Sequence, residues 1–396
     1  MKILFVCGVA PPDNSATAVL LKKLTRSLQD IGVEVDFLTY KQSFLDGDGV
    51  TGVSKLFKAE AILRAPSKIM CMKDLFWWIY AYVDIKLNAG KRIYNKKRVE
   101  AICKKLEEIN LNNYDVVIGV CAYYEIAEAM LRMKKRGKYS PKFCLYQVDP
   151  LTENINYCKI KDKAQEYEKE LFGQLDMIFT TPINYKKKKT LGWDLSKVAA
   201  LELPIEIFGE REYCKRDEII CVFAGYLYGN IRDASFTLEL FSRFSDKNIK
   251  LVLLGSGQEE LVEEYKVGKL NGRLFPLGQK SPKDCDKILQ EADVLVNIGN
   301  RVNDYLPSKL MHYIGFGKAI LNIVASQGCP SLSYMDKYEL SLSVMEQKEL
   351  SLETVSQVEK WIKENYRKRM SGDNIKLKFS ECFSNYIAEK IVCCLQ

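Results

Sequence analysis

Side chains able to bind an anion gather in one segment of the chain, residues 297–323. An apolar strand over 293–297 is followed by a polar loop and by a helix that opens with Pro307. Proline suits a first helical position because its φ is already helical and its missing N–H had no partner there. The next N–H groups point out of the helix start, where they and Lys309 could receive phosphate. The polar residues around this start are Asn300, Asn303, Asp304, Ser308, Lys309 and His312. An ordinary strand–helix–strand crossover is the alternative, but this density of polar groups favours a site.

A second loop with similar chemistry spans residues 224–233. It follows an apolar strand, at the carboxyl edge where ligands bind in open α/β sheets. Gly225 and Gly229 allow close backbone approach, and Arg232 supplies a permanent positive charge. A surface arginine that merely opens a helix is the alternative. We favour a phosphate contact, because Lys309 is expected to converge on the same crevice.

Short apolar strands alternate with helical patterns along most of the chain, and this alternation predicts two open parallel sheets. Predicted strands lie at 2–7, 33–39, 116–120, 143–147 and 177–181, and then at 219–224, 249–254, 274–277, 293–297 and 319–324. A polar linker over about 203–217 separates the two series. An insertion over about 44–112 looks helical, and a last helix is predicted over about 378–393.

The segment that begins at Pro307 resembles the donor-sugar segment of GT-B glycosyltransferases of the family-4 type. The matching residues are Pro307, Ser308, Lys309, Tyr313, Gly317 and Lys318. His312 stands where the family has the glutamate that holds the nucleotide ribose, and Ala319 replaces a proline. Asp304 and His312 keep the eight-residue spacing of the family's paired acids.

The resemblance implies two Rossmann-like domains that face each other across a cleft. Residues 1–205 would form the acceptor domain with its insertion, 206–377 the nucleotide-sugar domain, and 378–396 a helix returning to the first domain. It also implies a retaining reaction that needs no metal, with a nucleoside-diphosphate sugar as substrate and no further cofactor. A cytoplasmic glycosyltransferase is thus expected, with a glycan or lipid-linked acceptor from surface polysaccharide synthesis.

The resemblance also implies a role for individual residues. Arg232, Lys309 and Asp149 are the catalytic candidates, with Arg232 as the remaining cation of a diphosphate clamp in which Tyr226 replaces an arginine. The expected donor-binding residues are Gly225, Tyr226, Gly278, Gln279, Asn303, Asp304, Pro307, Ser308, Leu310 and His312. The expected loop facing the acceptor contains Asn14, Ser15, Ala16 and Thr17. Ser15 as a plain helix cap and Asp149 as a turn former before proline are the alternatives.

Composition and the length of the apolar runs argue against several classes of protein. The 396 residues include 13 cysteines without a C-x-x-C pair and a single histidine, which gives a zinc site little support. The first strand is too short for a signal peptide, and no apolar run approaches the roughly 20 residues that span a bilayer. Residues 1–200 hold 33 Lys/Arg and 23 Asp/Glu, a net charge of +10, whereas residues 201–396 hold 26 and 28, a net charge of −2. The basic excess of the first half indicates an anionic neighbour.

Basic residues in 51–100 outnumber acidic ones by 11 to four, beside the aromatic block Phe76, Trp77, Trp78, Tyr80 and Tyr82. This pattern suits an interfacial helix on an anionic membrane surface, although a core helix would also contain such rings. No recognised nucleic-acid module is present. Two other functions stay open: a sugar-nucleotide epimerase of the same fold, and a non-catalytic sugar-nucleotide-binding protein.

Overall fold

The structure is a computed structural model that describes residues 1–8, 16–39, 56–58, 93–121, 124–148, 152, 160–209, 216–229, 231–301 and 306–396. Within these residues the chain divides into two compact units. The first comprises Met1–Pro204 and Ser384–Gln396, and the second comprises Ile205–Phe383. None of the described helices is long and apolar enough to cross a membrane.

The first unit contains a parallel sheet of seven strands in the order β3-β2-β1-β4-β5-β6-β7. The strands are β1 (Lys2–Cys7), β2 (Glu34–Thr39), β3 (Leu56–Lys58), β4 (Val116–Cys121), β5 (Lys142–Gln147), β6 (Met177–Thr180) and β7 (Val198–Ala200). The helices are α1 (Ala16–Asp30), α2 (Lys96–Glu108), α3 (Tyr124–Lys135), α4 (Lys161–Gln174), α5 (Pro182–Thr190) and, from the chain's end, α13 (Ser384–Leu395). Successive residues of β1 face opposite layers, since Leu4 belongs to one apolar cluster and Phe5 to the other.

The second unit contains a parallel sheet of six strands in the order β10-β9-β8-β11-β12-β13. The strands are β8 (Ile219–Ala224), β9 (Ile249–Leu254), β10 (Leu274–Gly278), β11 (Val294–Ile298), β12 (Ala319–Val324) and β13 (Ser341–Met345). The helices are α6 (Ser235–Ser242), α7 (Glu259–Val267), α8 (Pro282–Glu291), α9 (Ser308–Gly315), α10 (Ser331–Met335), α11 (Leu352–Asn365) and α12 (Gly372–Lys378). Because the strands are parallel, the loops that follow them all lie at one edge of the sheet.

Two sequence predictions were wrong in detail. The insertion is not wholly helical, because Leu56–Lys58 pairs in parallel with β2 from Phe37 to Thr39. The predicted last helix over 378–393 is also divided: α12 ends at Lys378, a 3₁₀ turn covers Ser380–Cys382, and α13 follows. Ile387, Ala388, Ile391 and Leu395 of α13 are buried in the same cluster as Leu21 and Leu24 of α1. Of the predicted insertion, residues 44–55 and 59–92 lie outside the described residues.

Candidate functional site

The loops after β8, β9 and β10 are joined to one another by backbone hydrogen bonds. The N–H of Leu227 donates to the carbonyl of Ser256 at 2.9 Å, and the N–H of Gly255 donates to the carbonyl of Gly278 at 2.9 Å. A Cβ at Gly255, where φ is +121°, would lie 1.9 Å from the carbonyl oxygen of Gly225. The Gly255-Ser256-Gly257 turn therefore serves close packing of the loops, and only glycine fits at its first position.

Arg232, on the loop after β8, is half-buried and forms no ion pair with a carboxylate of any described residue. Its Nη2 donates to the Asn300 side-chain oxygen at 2.8 Å, and its Nη1 lies 3.4 Å from the carbonyl oxygen of Tyr226. Nε is buried and has no hydrogen-bond partner among the described residues. Burial lowers the pKa of the guanidinium, because water is withdrawn from its charged form.

This arrangement leaves Arg232 with neutral oxygens as its only polar contacts among the residues described. A desolvated cation without a counter-ion is costly, and an incoming anion offsets that cost. A guanidinium also matches the oxygens of a phosphate in geometry. The arrangement therefore suits a bound phosphate or diphosphate.

Tyr313 ties helix α9 to the end of β8. Its buried hydroxyl accepts from the N–H of Ala224 at 2.7 Å and lies 3.3 Å from the carbonyl oxygen of the same residue. Burial is the main cause of a raised pKa at Tyr313, so the hydroxyl stays protonated. This contact joins the element carrying Lys309 to the strand that leads into the Arg232 loop.

The start of α9 differs by one residue from the sequence prediction. Pro307 is buried and caps the helix, which begins at Ser308. The N–H of Leu310 donates to the carbonyl of Pro307 at 2.9 Å, and the Leu310 side chain is fully buried. Leu310 thus already uses its N–H and contributes to the core, whereas it had been expected to contact the donor. Lys309 is half-buried and forms no ion pair with any described residue.

His312 lies in a polar and aromatic environment of its own. Its Nε2 is 2.8 Å from Oδ1 of Asp286 on α8, and its ring meets Phe208 and Phe316 edge to face. Its expected contact with a ribose stays a prediction. Lys318, another residue of the resemblance, is buried and donates to the carbonyl of Gln290 at 2.7 Å and to that of Ala292. Burial lowers the pKa of Lys318 to about 7.

One charged group at this sheet edge was missed by sequence reasoning. Arg301 Nη2 lies 2.8 Å from Oδ2 of Asp233 and 3.5 Å from Oε2 of Glu346. Burial raises the pKa of Glu346. Glu346 directly follows β13, a strand that the sequence analysis did not predict. Recognising β13 would have placed the Glu346 carboxyl at the same sheet edge as Arg301.

The other predicted positions are distributed as follows. Gly278 has a φ of +68° and Gln279 is exposed beside it, on the loop after β10. Asn14, Ser15, Asp149, Asn303 and Asp304 lie outside the described residues, and for Ser308 and Ala16 only the backbone is described. Ala16 begins α1, and Thr17 is half-buried in its first turn.

The carboxyl ends of β5 and β6 in the first unit contain a buried polar network. Lys188 on α5 and Glu168 on α4 form an ion pair at 2.5 Å, and both side chains are fully buried. Gln147 and Thr152 each donate to Glu168, and Asn184 donates to Gln147 at 3.0 Å. Lys188 also lies 4.3 Å from the ring centre of Trp193. These contacts fix the end of β5, two residues before Asp149.

Comparison with solved structures identifies the fold as GT-B. Sucrose-phosphate synthase from Thermosynechococcus elongatus matches with a TM-score of 0.67 at 13% identity, covering 99% of this chain and 98% of that one. The lipopolysaccharide outer core galactosyltransferase WaaB matches at 0.62, with 12% identity and coverages of 100% and 99%. Anabaena Alr3699/HepE, solved with UDP and glucose, matches at 0.63, with 9% identity and coverages of 100% and 99%.

UDP-N-acetylglucosamine 2-epimerases also match, with TM-scores of 0.59 and 0.56. No protein-family model and no curated protein matches the sequence. At these identities the likeness establishes the GT-B fold, in which two open parallel sheets each follow the Rossmann pattern.

Proposed function

We propose that this protein is a glycosyltransferase that moves a sugar from a nucleoside-diphosphate donor to an acceptor hydroxyl. The observation that carries the proposal is the partly desolvated guanidinium of Arg232, whose polar contacts among the described residues are neutral oxygens. Its loop follows β8, and Tyr313 joins the end of β8 to helix α9. The GT-B structures named above include a galactosyltransferase and a protein solved with UDP and glucose, which supports this substrate class.

The chemistry assigned to these groups is stabilisation of the leaving diphosphate. The bond from the sugar's anomeric carbon to the diphosphate oxygen breaks as the acceptor oxygen forms its bond to that carbon, and the acceptor proton leaves with a base or a phosphate oxygen. Negative charge then grows on the diphosphate, where Arg232, Lys309 and the N–H groups at the start of α9 would contact it. Fixed donors aimed at developing charge lower a barrier most, and the loss of one costs about 3–4 kcal/mol.

The finer assignment is a retaining, metal-independent transfer to a lipid-linked glycan during surface polysaccharide synthesis. The support is the resemblance of residues 307–318 and the match to a lipopolysaccharide galactosyltransferase. Asp149 is proposed to contact a sugar or acceptor hydroxyl. The expected donor contacts of Gly225, Tyr226, Gly278, Gln279, Asn303, Asp304, Pro307, Ser308 and His312 belong to the same proposal.

Docking to the inner face of a membrane is proposed for residues 70–98, of which the structure describes only 93–98. Asn95 caps α2 by accepting from the N–H groups of Lys97 and Arg98, so α2 begins with three basic residues. Each basic residue near an anionic surface contributes about 1 kcal/mol, and salt screens the attraction. Replacing Lys91, Arg92, Lys96, Lys97 and Arg98 by Gln should release the protein from anionic vesicles. A wild type that ignores such vesicles at low salt contradicts the proposal.

Release of nucleoside diphosphate tests the main assignment. The purified protein is incubated with a panel of sugar nucleotides, with and without a mixture of lipid-linked and free glycans. Release that depends on the acceptor is the expected result. Interconversion of the donor sugar without release would instead establish an epimerase, the second activity found among the matching folds. Donor binding without either reaction would leave a binding protein.

A further inference from the structure

Two tyrosines on the loop after β8 form an exposed aromatic pair. The rings of Tyr226 and Tyr228 have centroids 4.1 Å apart, and their relative exposures are 41% and 50%. Leu227, which lies between them in sequence, is buried at 4% exposure. The loop thus directs one apolar side chain into the core and two aromatic rings outward.

The backbone that carries these rings is firmly held. The N–H of Leu227 donates to Ser256, and the carbonyl of Tyr228 accepts from the N–H groups of Ile231 and Arg232, both at 2.7 Å. The carbonyl of Tyr226 lies 3.4 Å from Nη1 of Arg232. The backbone beneath the rings is therefore fixed, and this lowers the conformational entropy lost when a ligand stacks on the pair.

The position of the two rings indicates which chemical group of a ligand would contact them. Both rings belong to the loop that supplies Arg232, so a group attached to a phosphate on that guanidinium comes within reach of them. A pyranose presents a face of C–H bonds that packs on an aromatic ring, while its hydroxyls need donors and acceptors around the edge. Tyrosine hydroxyls and the partly exposed Arg301, bound to Asp233 of the same loop, supply such groups.

We propose that Tyr226 and Tyr228 form a stacking platform for a hexopyranose ring of the substrate. This inference rests on the proposed function and adds to it a sugar-binding surface built from two residues of this chain. The ring comes either from the donor sugar or from the acceptor glycan. A stacked nucleobase is the competing occupant.

Calorimetric titration distinguishes these occupants. The wild type is first titrated with a panel of UDP-, GDP- and dTDP-sugars, and the tightest one is then compared with its own nucleoside diphosphate. For Tyr226→Ala/Tyr228→Ala, a donor platform predicts about tenfold weaker binding of the sugar nucleotide with unchanged binding of the diphosphate. An acceptor platform predicts unchanged binding of both, but about tenfold weaker binding of the oligosaccharides maltohexaose or chitohexaose in the presence of the diphosphate. Tyr226→Phe/Tyr228→Phe keeps both ring faces and should retain most of the affinity.

Tyr386→Ala, which removes an exposed ring from α13 in the other unit, is the matched control. Equal weakening of the sugar nucleotide and the diphosphate would assign the rings to the base and overturn the inference. So would unchanged binding of all three kinds of ligand in a variant whose thermal unfolding matches that of the wild type. A wild type that binds no nucleotide at all contradicts the proposed function, and with it this inference, before any substitution is made.

Discussion

Arg232 and Asn300 meet across two neighbouring loops of the second unit, at 2.8 Å between Nη2 and the amide oxygen. They are 68 residues apart in sequence, on the loops that follow the adjacent strands β8 and β11. A neutral amide fixes the direction of the guanidinium, and no described carboxylate compensates its charge. A cation oriented in this way can bind the phosphate of an incoming ligand, because it is not already held in a salt bridge with a described residue.

Replacing either proposed phosphate contact should weaken nucleotide binding. We expect Arg232→Ala and Lys309→Ala each to lose about 2 kcal/mol of affinity for UDP, roughly 30-fold, because each removes a charge-assisted contact. Calorimetry measures the effect. Lys360→Ala, which removes an exposed charge on α11, should leave the affinity unchanged. Wild-type affinity in both site variants would exclude the diphosphate clamp.

Asn300→Asp should affect binding and stability in opposite directions. The new carboxylate would form an ion pair with Arg232 and compete with a diphosphate, so UDP affinity should fall by about tenfold or more. The unliganded protein should become slightly more stable, because the half-buried guanidinium of Arg232 gains an ion-pair partner. Asn271→Asp, on an exposed turn, adds the same charge as a control. Affinity that is unaffected by Asn300→Asp would show that the anion binds elsewhere.

His312→Glu restores the family residue, and sequence alone suggests that it would be tolerated. The structure changes this expectation, because Asp286 lies 2.8 Å from the histidine ring. Two adjacent carboxylates should repel, lowering the free energy of unfolding by about 1 kcal/mol in a urea titration. Adding Asp286→Asn should remove the repulsion and recover the lost free energy of unfolding. A destabilisation that persists in the double variant would point to lost packing against Phe208 and Phe316 instead.

Acid should destabilise the second unit partly through Glu239. The Lys269 ammonium, aided by Arg243 and Tyr265, lowers the pKa of this carboxyl from 4.5 to about 2. The unfolded state therefore binds more protons between these values, so the stabilisation is complete above pH 4.5 and is lost as pH falls towards 2. Glu239→Gln should lower the free energy of unfolding at neutral pH by about 1 kcal/mol. The variant should also lose less stability than the wild type between pH 4.5 and about 3. An equal loss of stability in the two proteins would contradict the role given to Glu239.

The alternation of strands and helices could be predicted from local sequence for a physical reason. A strand buried on both faces is apolar over most of its length, and the sequence predicts strands β8, β9 and β12 at their final bounds. Elements without such runs were missed, among them β13, α10 and α11. Similarly, Leu310 looked like part of a helix start in sequence, but the tight first turn uses its N–H internally.

The sequence determined which residue types could bind an anion, since Arg232 and Lys309 each follow a recognisable apolar strand. Their environments were decided only by the tertiary structure. Each partner comes from another element: Asn300 contacts Arg232, Asp286 contacts His312, and the Gln290 carbonyl of α8 accepts from Lys318. Local propensities specify elements, whereas the order of strands in the sheet decides which loops become neighbours. That order left Arg232 without a carboxylate among the described residues, and it placed an aspartate and two phenylalanines around the single histidine.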